Sequence, residues 1–155
     1  VLHSCVHEIW ALNMGARHGG ERPTYNNSTC FETFPFPWPP GQEPTDDLRV
    51  QAIAQAAKEL VEKRDNWLNP PNATEAQLKK LTLTNLYNAR PTWLDLAHKK
   101  LDRAVLAAYG WSDLMTQNGI DEEELLSRLL ALNLERAVAQ GELQPALIDE
   151  SDYED

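Results

Sequence analysis

Apolar positions three, four and seven residues apart recur along most of this chain, and that spacing predicts helices that each bury one face. The first spans Val1 to Met14, where Leu2, Val6, Ile9 and Leu12 form a stripe flanked by His3, His7 and Trp10, and Gly15 supplies a stop. From Gly15 to Pro44 the periodicity vanishes. Gly19, Gly20, Pro23, Asn26, Asn27 and Ser28, then the run Phe34-Pro-Phe-Pro-Trp-Pro-Pro-Gly41, predict loop and extended chain.

Beyond Pro44 the pattern returns. Thr45 with Asp46 and Asp47 reads as a helix start, and Val50, Ile53, Ala54, Ala57, Leu60, Val61 and Leu68 keep one face apolar. Asn69-Pro-Pro-Asn72 breaks this helix. Thr74 and Gln77 then form a capping box for a helix that carries Leu78, Leu81, Leu83 and Leu86 and ends before Arg90-Pro91. Thr92 and Asp95 repeat the device ahead of Leu94, Ala97, Leu101, Ala104, Val105 and Ala108, with a stop at Tyr109-Gly110-Trp111. Asp121 and Glu124 cap a last helix, whose Leu125, Leu126, Leu129, Leu130, Leu132 and Leu134 make a stripe wide enough for two neighbours.

The predicted fold class is therefore mainly α: a bundle of about four helices, preceded by one helix and a Pro/aromatic-rich loop. Residues 142–155 add six acidic residues and no basic one, so they read as an acidic tail too charged to pack, disordered from about residue 148.

Composition narrows the function classes. The chain has 155 residues, enough for one domain or one domain plus a piece of another. It opens at Val1, already inside a helical pattern, which reads as a segment cut from a longer protein. No run approaches the roughly 20 apolar residues of a membrane span. Cys5 and Cys30 are the only cysteines and show no metal or disulfide spacing, so a reducing cytoplasm with free thiols is expected. The net charge is -10, and residues 1–40 hold only -1 of it, with Arg17 and Arg22 against Glu8, Glu21 and Glu32. Because Lys and Arg dominate phosphate binding, the acidic C-terminal part is a poor nucleic-acid binder.

Candidate chemistry is sparse. His3 and His7 lie one turn apart, but Glu8 points about 100° away from them, so they read as packing histidines rather than metal ligands. Trp10, Trp38, Trp67, Trp93 and Trp111 read as core. Pro37 and Pro40 satisfy PxxP, yet the interleaved Phe34, Phe36 and Trp38 favour packing within the chain. The polar loop Arg17, His18, Arg22, Tyr25, Asn26, Asn27 and Ser28 has the groups that read DNA: Arg pairs with guanine, Asn with adenine, and hydroxyls bind phosphate. On composition alone a solvated loop is the simpler reading. No Gly-rich phosphate loop, Gly-x-Ser-x-Gly or His/Cys pair is present, so catalysis and cofactor binding are expected outside this chain.

Several words of the sequence carry a family resemblance. His7-Glu-Ile-Trp-Ala-Leu12, Gly15, Tyr25 and Thr29-Cys-Phe-Glu-Thr-Phe-Pro-Phe-Pro37 resemble the end of the target recognition domain of MmeI-like (type IIL) restriction-modification enzymes and their stand-alone methylase relatives. The resemblance continues through Arg64-Asp-x-Trp-Leu-Asn-Pro-Pro71, Leu81-Thr-Leu-Thr-Asn-Leu-Tyr-Asn88, Arg90-Pro-Thr-Trp-Leu94 and Ala97-His-x-Lys-Leu-Asp102 to Ala107-Ala-Tyr-Gly-Trp111. It implies a bacterial parent protein that uses S-adenosylmethionine to methylate adenine N6 in DNA, with its catalytic Asn/Asp-Pro-Pro-Tyr/Phe motif upstream. Asn69-Pro-Pro-Asn72 lacks the aromatic that stacks the flipped base, and reads as a helix breaker.

The resemblance further implies that residues 1–44 are the end of the recognition domain and its connector, and that 45–141 are the C-terminal helical domain, the stable unit. The implied partners are DNA, through the parent protein, and the upstream methyltransferase and recognition domains. One departure stands out: the family carries Arg directly before the position of Tyr25, where this chain has Thr24, with Arg22 two residues earlier. The alternative is a helical interaction module of an unrelated protein.

Overall fold

The computed structural model describes residues 1–18 and 22–141, except for the side chains of Arg17, His18 and Arg22. The acidic tail expected at 142–155 lies outside the described residues. The fold is mainly helical, as the periodicity predicts.

The first helix, α1, spans Cys5–Met14 and starts later than the stripe suggests, because Ser4 holds extended angles (φ -85°, ψ 155°). The Ser4 hydroxyl donates to the Val1 carbonyl and caps nothing. A carboxylate distant in sequence takes its place: the Cys5 amide donates to Asp102 Oδ1 at 2.8 Å. An anion at a helix N-terminus also meets the positive end of the helix dipole. This bond ties the head of the chain to its later helices.

The loop and extended chain expected after Gly15 is more ordered than the sequence pattern suggests. Strands β1 (Ala16–His18) and β2 (Arg22–Thr24) pair antiparallel, Ala16 with Thr24 and His18 with Arg22. A single π-helical turn follows at Asn27–Phe31. Three-residue strands are too short to register as alternation, which is why the sequence pattern misses them. Gly15 is required by proximity, not by its φ of -71°. A Cβ there would stand 2.7 Å from the Ala11 carbonyl oxygen and 2.9 Å from that of Thr24, both backbone atoms.

Helix α2 (Leu48–Leu68) is capped by Asp47, whose carboxylate accepts from the Arg49 amide. The single helix expected over 74–90 is two. In α3 (Glu75–Leu78) the capping box of Thr74 and Gln77 forms as predicted, but α4 (Leu83–Ala89) restarts at Thr82. Thr82 is extended at φ -112° and ψ 155°, and its hydroxyl accepts from the Asn85 amide. A hydroxyl that can cap competes with helix continuation. Arg90 closes α4 at φ 38° ahead of Pro91.

Pro91, not Thr92, is the N-cap of α5 (Thr92–Tyr109). At the other end Gly110, at φ 77°, closes the helix with Trp111 N donating to Leu106 O and Gly110 N to Ala107 O. That left-handed cap stacks Trp111 on Tyr109 at 4.5 Å. A 3-10 turn (Ser112–Leu114) and a hairpin of β3 (Met115–Thr116) and β4 (Gly119–Ile120) lead into α6 (Glu122–Ala139), capped by Asp121 as expected.

One core runs through all of this. Val6, Ile9 and Trp10 of α1 and Phe34 share a cluster with Ala56 and Leu60 of α2, Leu86 of α4, Leu94 to Leu106 of α5, and Leu125 and Leu129 of α6. Each fully buried Leu contributes roughly 1.5–3 kcal/mol of transfer free energy. α2 packs along α5, and α1 packs against both α5 and α6. The α6 stripe is used on one flank only, since Leu130 and Leu134 stay 41% and 53% exposed. Of the tryptophans Trp10 alone is buried; the other four sit half-buried at the margins.

Candidate nucleic-acid interface and adjoining groove

The seven loop residues singled out for DNA fall on one hairpin and the turn after it. Arg17 and His18 lie on β1 and Arg22 on β2; their side chains lie outside the described residues. Tyr25, Asn26, Asn27 and Ser28 are exposed. Two of these four cap the turn: Asn26 Oδ1 accepts from the Ser28 amide at 3.0 Å and from the Ser28 hydroxyl at 2.7 Å. Among the described residues the Asn26 amide nitrogen and the Asn27 side chain make no hydrogen bond. Tyr25 is half committed, because its hydroxyl shares a hydrogen bond of 3.0 Å with His7 Nε2.

Beneath this surface the chain builds a support. His7 packs edge-on against Phe34 at 4.6 Å, and Phe34 contacts Trp10 and Phe36 in the same tilted manner. Such edge-to-face pairs add about 0.5–1.5 kcal/mol beyond area burial. Buried Cys30 places Sγ 3.7 Å from the Ala11 carbonyl, under Gly15. The Pro/aromatic segment is bound to the helices through its own carbonyls. Tyr109 Oη donates to Pro35 O at 2.8 Å, Asn133 Nδ2 to Thr33 O at 2.6 Å, and Arg136 Nη1 to Phe36 O at 2.6 Å. Arg49 stands over the Trp38 ring at 5.2 Å. The segment packs within the chain, as the interleaved aromatics suggest.

Beside the hairpin, α1 forms the floor of a groove of about 390 Å³. Its lining includes His3, His7 and Glu8 at the start of the chain, Pro23, Thr24 and Tyr25 after the hairpin, and Tyr87 and His98. His98 Nε2 and the Tyr87 hydroxyl are 2.9 Å apart, repeating across the groove the pairing of His7 with Tyr25. Burial lowers the affinity of all three imidazoles for a proton; Arg64 adds to this at His3, and at His98 the nearby Asp102 opposes it. The His7 Nδ1 atom is buried and has no hydrogen-bond partner among the described residues.

Sequence reasoning noticed His3 and His7 but missed Tyr87 and His98 as part of the same place. Their spacing of eleven residues crosses a helix junction, so no helical period relates them. Among the described residues no group of three His, Cys, Asp or Glu side chains is arranged to hold a metal ion. Cys5 is held far from thiolate formation by burial and by Asp102.

No helix of the described residues is long and apolar enough to cross a membrane. No family model, no curated protein and no solved structure matches this chain.

Proposed function

We propose that this chain is the C-terminal, non-catalytic part of a S-adenosylmethionine-dependent adenine-N6 DNA methyltransferase of a bacterial, cytoplasmic restriction-modification system. Its task in that protein is to help place the DNA target, and the chemistry and cofactor belong to the upstream domains. One observation carries the reading. Residues of the family resemblance that lie far apart in sequence meet in a single support: His7 with Tyr25 and Phe34, Cys30 under Gly15, and Tyr109 on Pro35. That support holds up the one stretch whose polar groups suit DNA. A rigid element beneath a polar loop is the arrangement recognition requires, because base contacts need fixed register.

The charge distribution agrees with a division of labour. The hairpin sits in the nearly neutral head, and of the -10 charge the residues 41–141 carry only -3 and residues 142–155 carry -6, so the charge that repels phosphate is concentrated at the C-terminal end. The chain alone is expected to bind duplex DNA weakly or not at all, and submicromolar binding at physiological salt would contradict that.

The deciding experiment uses the whole gene product. Its reading frame upstream of Val1 must encode an Asn/Asp-Pro-Pro-Tyr/Phe motif, and the protein must transfer a labelled methyl group from S-adenosylmethionine to adenine in DNA. Absence of either defeats the proposal. Arg22→Ala and Asn27→Ala should weaken DNA binding by about 1–3 kcal/mol if they read bases.

A further inference from the structure

We propose that Asn118 is a site of covalent modification, where the side-chain amide is lost through a cyclic imide and the chain is left with aspartate or isoaspartate. Asparagine is thermolabile in general. Ring closure needs three things together: a side chain that is not held, an uncrowded amide nitrogen on the next residue, and a backbone that bends enough for that nitrogen to reach Cγ.

The first two conditions meet at Asn118. It is the only asparagine of the sequence that precedes a glycine, and both residues are exposed. Glycine carries no side chain to block the approach. Apart from the adjacent residues, no atom lies within 4 Å of the place a Gly119 Cβ would take. Among the described residues the Asn118 side chain makes no hydrogen bond, whereas Asn13, Asn26, Asn69, Asn85 and Asn133 all spend side-chain atoms on one.

The hairpin meets the third condition. Gln117 and Asn118 form the two-residue turn between β3 and β4, and Gly119, at φ 117°, pairs with Thr116. Each strand has only two residues, and a ribbon that small has little stability of its own, so the turn opens at low cost. Asn66 and Asn88 lie within α2 and α4, where the same bend breaks a helical ladder.

The reaction balances with water alone. The Gly119 nitrogen gives up its proton and bonds to Asn118 Cγ; the Cγ–Nδ2 bond breaks and ammonia leaves. Water then opens one of the two ring carbonyls. Opening at Cγ restores the ordinary chain as aspartate. Opening at the Asn118 backbone carbonyl leaves the chain running through Cβ and Cγ, one atom longer, which is isoaspartate. Beside this turn the Asp121 amide donates to the Leu114 carbonyl, and Asp121 Oδ1 caps α6 through the Glu124 amide. The longer chain at 118 therefore loosens the start of α6. None of this depends on a role in DNA placement.

The test warms the folded 155-residue chain, below its melting transition and above neutral pH, in water enriched in the heavy oxygen isotope. Trypsin then releases residues 104–128, in which Asn118 is the only asparagine. That peptide should gain one heavy oxygen and separate into aspartate and isoaspartate forms. Its conversion should be at least about tenfold faster than at any other asparagine of the chain, a barrier lower by about 1.4 kcal/mol. Asn118→Gln, which needs a six-membered ring, should suppress it. The isoaspartate chain should melt about 2–4 °C below the Asn118→Asp variant, which has the same charge and an ordinary backbone. The proposal is overturned by an absence of isoaspartate, by an equal rate at Asn27 or Asn72, or by conversion that persists in Asn118→Gln. Equal melting of the isoaspartate chain and Asn118→Asp overturns the loosening of α6.

Discussion

The head of this protein, residues 1–44, and the helices that follow it are held by different forces. In the head the contacts are aromatic edges and hydrogen bonds from side chains to distant carbonyls, such as Tyr109 to Pro35 and Arg136 to Phe36. Among the described residues every ion pair lies at or beyond Asp47, on the outer faces of the helices. The helices are therefore amphipathic in the ordinary sense, aliphatic inside and charged outside. The head is instead a set of parts fastened one by one, and its polar loop is held by local bonds of Ser28 to Asn26 and of Tyr25 to His7. Yet the two share one interior, since Val6, Trp10 and Phe34 belong to the same cluster as Leu101 and Leu129.

The largest expected effect tests that shared interior. Phe34→Ala removes a ring that is 4% exposed and touches His7, Trp10 and Phe36. A loss of about 3–5 kcal/mol is expected in denaturant unfolding. Tryptophan fluorescence and far-ultraviolet circular dichroism should still report one coincident transition. Separate transitions would mean that the helices after Pro44 are a stable unit without the head, and the comparison would become one of two domains.

Two further substitutions cut the joints between the regions. Gly15→Ala forces a methyl against two carbonyl oxygens, and about 1–3 kcal/mol should be lost. Asp102→Ala leaves the Cys5 amide unpaired where the helices meet the head, with a loss of similar size. Asp102→Asn keeps an acceptor and should cost less. Burial raises the Asp102 pKa in the folded protein. Its contribution is therefore complete below the unfolded value of about 3.9 and is lost as pH rises through the folded one. Asparagine, which has no charge to desolvate, should flatten that dependence.

Sequence periodicity disclosed the long helices well because burial of one face over many turns leaves a repeated mark. The stripe from Leu94 to Ala108 and the caps at Thr74 and Asp121 are examples. The head was less legible. Its order comes from single contacts across long separations, such as Asn133 to Thr33, and a contact of that kind leaves no period. The break at Thr82 has another cause: Leu81 and Leu83 would stand about 200° apart on a continuous helix, and the Thr82 hydroxyl accepts from the Asn85 amide and restarts it. The groove joins residues from α1, β2, α4 and α5, so only its floor could be read from the chain. Arg17, His18 and Arg22 were chosen by chemistry alone, and their side chains remain outside the description.

Smaller effects separate the regions by pH. Tyr25→Phe removes the hydroxyl that bonds His7 and should lower stability by about 0.5–1.5 kcal/mol. His3, His7 and His98 all have folded pKa values below the ordinary one, chiefly through burial. Their contribution is therefore present above the unfolded value of about 6.5 and is lost as pH falls through the folded values. Melting temperature should drop on acidification from about pH 7 towards 5, and His7→Phe should reduce that drop. A flat profile over this window would show that the head does not need neutral imidazoles.

The smallest effect belongs to the outer face of the helices. Glu59 accepts from both Lys63 and Lys100, joining α2 to α5, and these hydrogen bonds lower its pKa to about 2. All three side chains are solvated, and an exposed pair gains little beyond what water already gives its charges. Lys63→Ala should leave the melting temperature within measurement scatter, and added salt should not alter the difference. A marked, salt-sensitive drop would mean that the ion pairs on α2 and α5 carry stability of their own. The contrast between a head fastened by specific bonds and helices held by apolar burial would then no longer hold.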